Sequence, residues 1–158
     1  MSAIAASSTT TSISRPRMIV YIIVAAIALT GLADATYLTV QHFTGENILC
    51  GGSADCARVL GSAYSHLGPI PVAGLGVLAY YTVFSLATFA AFGHRRAGRL
   101  FVWVVCLMFV GTLWFLFVQA FLLHAFCRFC LLSAAFVFLL TGIVVAMPPP
   151  QDKDGTLD

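Results

Sequence analysis

The chain has 158 residues, 60% of them hydrophobic and only 9% charged, against roughly 25% charged in an ordinary soluble domain. That balance excludes a typical soluble globule. A formal charge of +2 is also too small for a nucleic-acid footprint, and the length leaves room for one compact domain.

Residues 1–14 hold eight Ser or Thr and no charge, so a disordered cytoplasmic lead-in is expected up to residue 17. From Met18 to Val40 the chain is apolar apart from Asp34 and scattered hydroxyl or Gly positions. At about 1.5 Å per residue this run covers the roughly 30 Å hydrocarbon core, and the first span is placed at about 18–40. A signal peptide is the competing reading, since Arg15 and Arg17 precede the run and Ala33-Asp34-Ala35 resembles a cleavage site; the run outlasts a usual signal core. The stretch 42–66 reads as a loop with a short helix from Ser53 onward. Further spans are expected at about 70–92, with Pro71 tolerated in the first turn, at 100–123, and at 127–147, where Pro148-Pro149-Pro150 end the helix and leave 148–158 as a cytoplasmic tail. The expected fold is an all-α membrane protein, a four-transmembrane-helix bundle over 18–147.

Orientation follows from the basic residues. With the amino terminus inside, Arg15, Arg17, Arg95, Arg96, Arg99 and Lys153 are cytoplasmic, and only Arg58 and Arg128 face out. This predicts that loop 42–66 and the turn before Cys127 share the exoplasmic side. Four of the five cysteines then sit in one oxidising compartment.

Cys127-Arg128-Phe129-Cys130 is a CxxC at the head of a helix, where free N–H groups and the dipole stabilise a thiolate, with Arg128 as a possible further contribution. Cys50 and Cys56 flank a Gly pair in GENILCGGSADCARV. A ring that small constrains the unfolded chain by only about 2 kcal/mol, so a disulfide there suits exchange better than stapling. Cys106, mid-span and without a sequence partner, reads as a small apolar filler. Asp34 lies toward the outer end of its span, where a carboxylate costs less than the roughly 2.5–3.5 kcal/mol of the midplane; it is a candidate proton relay or a solvated group.

The stretch Cys50 to Tyr80 resembles the loop and second helix of the vitamin K epoxide reductase family at Cys56, Val59, Ser62, Tyr64, Gly68, Pro71, Gly76 and Tyr80, and the CxxC at the head of the last span matches as well. The resemblance covers about residues 18–147. It implies a membrane thiol:quinone oxidoreductase in which Cys50 faces an external thiol donor, Cys56 exchanges with Cys127, and Cys130 lies next to a quinone of ubiquinone, menaquinone or vitamin K type. The sequence departs from the animal enzymes at Ala134, where they carry Tyr, and at Val72, where they carry Asn. This favours the bacterial type, which supports disulfide formation in exported proteins, over epoxide reduction. Only QDKDGTLD follows Pro150, so the implied donor is a separate thioredoxin-fold, DsbA-like protein, and the implied location is a bacterial inner membrane.

Shape suggests where a quinone sits. From Cys130 the face through Ser133, Ala134, Val137 and Thr141 is small or β-branched, Gly74 and Gly76 thin the second helix, and His124 stands three residues before Cys127. Close helix packing explains the same small residues. Cysteine-ligated metal, histidine-ligated haem and a non-enzymatic four-span scaffold are the alternatives to a redox relay. A DsbB-like oxidase has the two cysteine pairs in the opposite order.

Overall fold

The computed structural model describes residues 15–44, 54–68 and 70–147. The expected lead-in at 1–14, Cys50 and the tail at 148–158 lie outside the described residues. Four helices are long and apolar enough to cross a membrane, and the protein is a membrane helical bundle.

Helix α1 runs Arg15–Thr44, longer at both ends than the expected 18–40. Pro16 occupies its first turn, where a missing N–H leaves no bond unmade, so Arg15 and Arg17 begin the helix instead of closing the lead-in. Its hydroxyls do not demand water, because Thr30, Thr36, Thr39 and Thr44 each donate to the carbonyl four residues back at 2.7–3.0 Å. A span in lipid has to satisfy its polar groups internally in this way.

Helix α2, Ala54–Leu60, lies in the loop. After it come a 3₁₀ turn at Ala63–Ser65 and a minimal hairpin, β1 at His66–Leu67 pairing antiparallel with β2 at Ile70–Pro71. The turn between them needs a positive φ at its first position, which Gly68 supplies at 65°. Helix α3, Val72–Ala91, starts directly after Pro71. At about 1.5 Å per residue it only just covers the hydrocarbon core. Gly93, at φ 90°, reverses the chain into α4, Arg95–Phe117. Helix α4 continues as a π-helical segment, Val118–Leu123, before α5 at Arg128–Ala146.

Each long helix packs on its two neighbours in the order α1, α3, α4, α5 and back to α1. Short connections make successive helices antiparallel. The inner stripe of α1 is Val24, Ala28, Gly31, Ala35, Leu38 and Gln41, a spacing of three and four that keeps one face inward. Tyr80, Val83, Ala87 and Ala90 of α3 and Ala134, Val137 and Leu140 of α5 answer it. Small residues bring α1 and α3 together, as is usual between membrane helices: a Cβ on Gly76 would stand 3.4 Å from the Ala35 methyl. The outer surface is as apolar as the interior, with Ile22, Leu78, Leu107 and Val145 exposed, which suits lipid and not water. Cys106 belongs to that outer surface. It does not fill the core as the sequence suggested, because the inward face of α4 passes through Phe101 and Val105.

Candidate active site

Helix α2 lays Cys56 and Val59, three residues apart and so on one face, against the end of the bundle where α4 gives way to α5. Both are fully buried. The helix is held down from its C-terminal side. The Ser62 hydroxyl donates to the Val59 carbonyl at 2.8 Å, and Ser65 Oγ lies 2.7 Å from the carbonyls of both Leu60 and Ser62, carbonyls that a helix end otherwise leaves unmet. Cys56 is disulfide-bonded, while Cys127 and Cys130 are free.

Cys127 is the N-cap of α5, in extended conformation, and its carbonyl receives the first helical bond from the Leu131 N–H at 3.0 Å. Its position is set by the π-helical segment. The wider turn lets the Gln119 carbonyl accept from the Ala125 N–H at 3.2 Å, and the Gln119 side-chain oxygen accept from the Cys127 N–H at 3.1 Å. His124 absorbs the chain reversal at φ 47°. Gln119 is itself buried, so both bonds form away from water, and π-turns of this kind recur at functional sites.

The two sulfurs meet: Cys56 Sγ and Cys127 Sγ are 3.6 Å apart. Roughly 1.5 Å of approach separates them from a disulfide of about 2.05 Å. Around them Val59, Leu60, Phe115, Leu123, Ala125 and Phe129 exclude water. Cys127 is nevertheless acidic for a thiol. The Cys130 thiol donates a hydrogen bond to its sulfur, and the backbone N–H groups of Cys130 and Phe129 add to this. Together they outweigh burial and the opposing Asp34 charge, and bring Cys127 from 9.0 down to about 7. The expectation of a thiolate held by a helix N-terminus gains a larger local cause, the neighbouring thiol, while Arg128 stays exposed.

One turn below Cys130 the bundle is locked by Tyr80. Its ring lies over Gly31 of α1, and its hydroxyl donates to the Ser133 carbonyl and shares a second bond with Ser133 Oγ, both at 3.0 Å. One turn above, the Tyr37 and Phe129 rings meet with centroids 5.2 Å apart.

Of the residues singled out from the sequence, Cys56, Cys127 and Cys130 come together, and Ser133 and Ala134 follow Cys130 into the bundle, with Ala134 buried. Val137 belongs to the main hydrophobic cluster with Tyr80 and Leu140. Gly74 is half-buried in the first turn of α3, nearest to the Pro71 ring. The His124 side chain is exposed. Cys50 lies outside the described residues. Sequence reasoning passed over two glutamines: Gln119, which fixes Cys127, and Gln41, 6% exposed with neither amide atom hydrogen-bonded. A polar amide inside a run long enough to span the membrane was the available signal in both cases.

The model of the vitamin K epoxide reductase family matches residues 22–145, from the inner half of α1 to the last turn of α5. No curated protein matches the chain.

Proposed function

Because the chain belongs to the vitamin K epoxide reductase family and is thereby an integral membrane oxidoreductase, we propose that it is a thiol:quinone oxidoreductase that moves electrons from an external dithiol through Cys50 and Cys56 to Cys127 and Cys130. The observation that carries this reading is the 3.6 Å approach of a disulfide-bonded Cys56 to a free Cys127. A structural staple does not need a second, acidic thiol in van der Waals contact with it. An exchange site does.

In the proposed cycle a reduced thioredoxin-fold, DsbA-like protein attacks Cys50, forms a mixed disulfide with it and frees Cys56; the second thiol of that protein then closes on the first and leaves Cys50 as a free thiol. Cys56 attacks Cys127 of the inner disulfide, Cys130 leaves, and Cys50 then closes on Cys56, so that the inner pair holds the electrons. A disulfide-bonded Cys56 beside free inner thiols is the state described above, and it corresponds to one step after inward transfer. The raised acidity of Cys127 serves both directions, since it makes the sulfur a better leaving group and keeps more of it as thiolate near neutral pH. The apolar lining keeps competing thiols and water from the exchange.

A quinone supplies a two-electron, two-proton acceptor for the inner dithiol. Cys130, Ser133, Ala134, Val137, His124 and Gly74 are the residues proposed to hold it. The buried, unpartnered amide of Gln41, a donor and an acceptor together, fits a ring that carries carbonyl oxygens. We place both termini in the cytoplasm and the cysteines on the periplasmic face of a bacterial inner membrane, an orientation that the bias of basic residues favours, with disulfide formation in exported proteins as the net result.

The test is anaerobic quinone reduction by the purified protein with a small dithiol, comparing ubiquinone, menaquinone and vitamin K epoxide. Reduction of one of the two respiratory quinones is expected. Failure with all three, in protein whose thiols titrate as accessible to exchange, refutes the proposal.

A further inference from the structure

Asp34 is the one carboxylate within the described membrane spans, and its Oδ2 is buried without a hydrogen-bond partner. Seven residues on, along the same face of α1, Gln41 leaves both amide atoms buried and unpartnered. Native interiors satisfy nearly all such groups, so three orphans on one helix face call for an explanation other than packing. An ionisable residue inside a span is costly and typically functional.

The helix registers locate its neighbour. On α1, Gly31 carries the Tyr80 ring whose hydroxyl ends on Ser133 of α5, and Tyr37 meets Phe129 of α5. The helices are antiparallel, so climbing α1 from Gly31 to Tyr37 matches descending the numbering of α5 from Ser133 to Phe129. Asp34 lies midway on the first path and Cys130 lies on the second, which puts them at one level between the two cross-links. In agreement, the Asp34 carboxylate is within electrostatic reach of Cys130, Cys127 and Tyr80.

We propose that Asp34 holds the proton of Cys130 during thiol–disulfide exchange, a role that rests on the exchange reading above. When the Cys56 thiolate attacks Cys127, the Cys56–Cys127 bond forms, the Cys127–Cys130 bond breaks, and the electron pair leaves on Cys130. The Asp34 carboxylic acid gives its proton to that sulfur and becomes a carboxylate. In the reverse step the carboxylate takes the proton back as Cys130 closes on Cys127. No electrons are gained or lost overall. A thiolate expelled among apolar side chains lacks solvation, whereas Cys127 keeps its N–H donors; the sulfur that needs a proton supply is therefore Cys130.

The test uses the full chain in detergent, without quinone. Dithiothreitol reduces the inner pair, acid-quenched maleimide labelling gives the rate, and infrared difference spectra follow the protonated-carboxyl stretch between oxidised and reduced protein. Wild type is expected to lose a carboxyl band on reduction. Asp34→Asn is expected to lack that band, to slow inner-pair reduction at least tenfold at pH 7, and to recover severalfold with added formate; Asp34→Glu is expected to retain both band and rate. Asp34→Asn reducing within twofold of wild type, or a wild type with no redox-linked carboxyl band, overturns the proposal. So does a slow Asp34→Asn that formate does not accelerate while its thermal melting matches wild type. Separately, a wild type that shows the band and the exchange yet reduces none of ubiquinone, menaquinone and vitamin K epoxide overturns the quinone part of the functional reading and leaves the role of Asp34 standing.

Discussion

Gly31→Ala offers a direct measure of how tightly the bundle is drawn together beneath the cysteines. A Cβ on Gly31 would stand 2.6 Å from Tyr80 Cζ and 2.7 Å from Cδ1, well inside van der Waals contact. A flexible side chain would swing aside, but the Tyr80 ring is only 1% exposed and its hydroxyl is fixed by two bonds to Ser133. Relief therefore requires either backbone separation of α1 and α3 or loss of the hydroxyl bonds. Overpacking relieved by backbone separation costs about 1–3 kcal/mol, and loss of two interhelical hydrogen bonds at roughly 0.6 kcal/mol each costs about 1 kcal/mol. A destabilisation of about 1–3 kcal/mol is expected, against about 1 kcal/mol for Tyr80→Phe, which forfeits only the bonds. The assay is reversible unfolding in mixed detergent micelles titrated with dodecyl sulfate. In the double variant Gly31→Ala with Tyr80→Leu, the smaller side chain removes the clash, so the two effects should fall short of additivity by about 1–2 kcal/mol. Gly31→Ala within about 0.5 kcal/mol of wild type, the scatter of an uneventful surface substitution, or strict additivity in the double variant, would refute the account of the Tyr80 lock.

The cysteines should behave unequally: Cys127→Ala and Cys130→Ala abolish dithiol-dependent quinone reduction, Cys50→Ala loses turnover with a protein donor while keeping some with a small dithiol, and Cys106→Ala, on the outer surface, leaves the rate unchanged; an inactive Cys106→Ala beside an active Cys130→Ala would invert the assignment. Attack of the reduced Cys127 on the Cys56 disulfide should rise with pH and level off above about 7, where an ordinary thiol at 9.0 would still be climbing, as read by acid-quenched labelling of the Cys50 thiol that this attack releases. The sign for stability is that of a depressed acid: the thiolate's contribution to the reduced protein is complete above about 9 and fades as pH falls through about 7, so reduced protein should melt lower at pH 6 than at pH 9, and Cys127→Ala should lose that dependence. Gln119→Leu keeps the volume but leaves the buried Cys127 N–H without its 3.1 Å acceptor, a cost of about 1–3 kcal/mol. It should slow exchange as well as lower stability, whereas Gln119→Glu, which still offers an oxygen, should preserve more of both.

Much of this architecture is legible in one dimension because a membrane imposes simple demands. A span must be long, apolar and internally hydrogen-bonded, so four runs and their prolines locate four helices. The ends shift where local chemistry intervenes, as at Pro16 in the first turn of α1 and in the π-turn that carries α4 on to Leu123. The CxxC stands out through its spacing and its place at a helix head, and Cys56 through the Gly-rich loop before it.

Sequence by itself determined the number of spans and the sharing of one end by the short loop helix and the CxxC, since each depends on hydropathy, charge bias or spacing along the chain. Tertiary structure alone decided which sulfur faces which, at 3.6 Å between Cys56 and Cys127. It also decided that the Cys130 thiol, and not Arg128, makes Cys127 the stronger acid, and that Gln119 and Asp34 lie near the same sulfurs, with Tyr80 bonded to Ser133 one turn below Cys130. The Cys56–Cys127 approach and the Tyr80–Ser133 bond join residues on different helices, and the Gln119–Cys127 bond needs the chain reversal at His124; such contacts depend on rotation and depth within the bundle, which no pattern along a single helix contains.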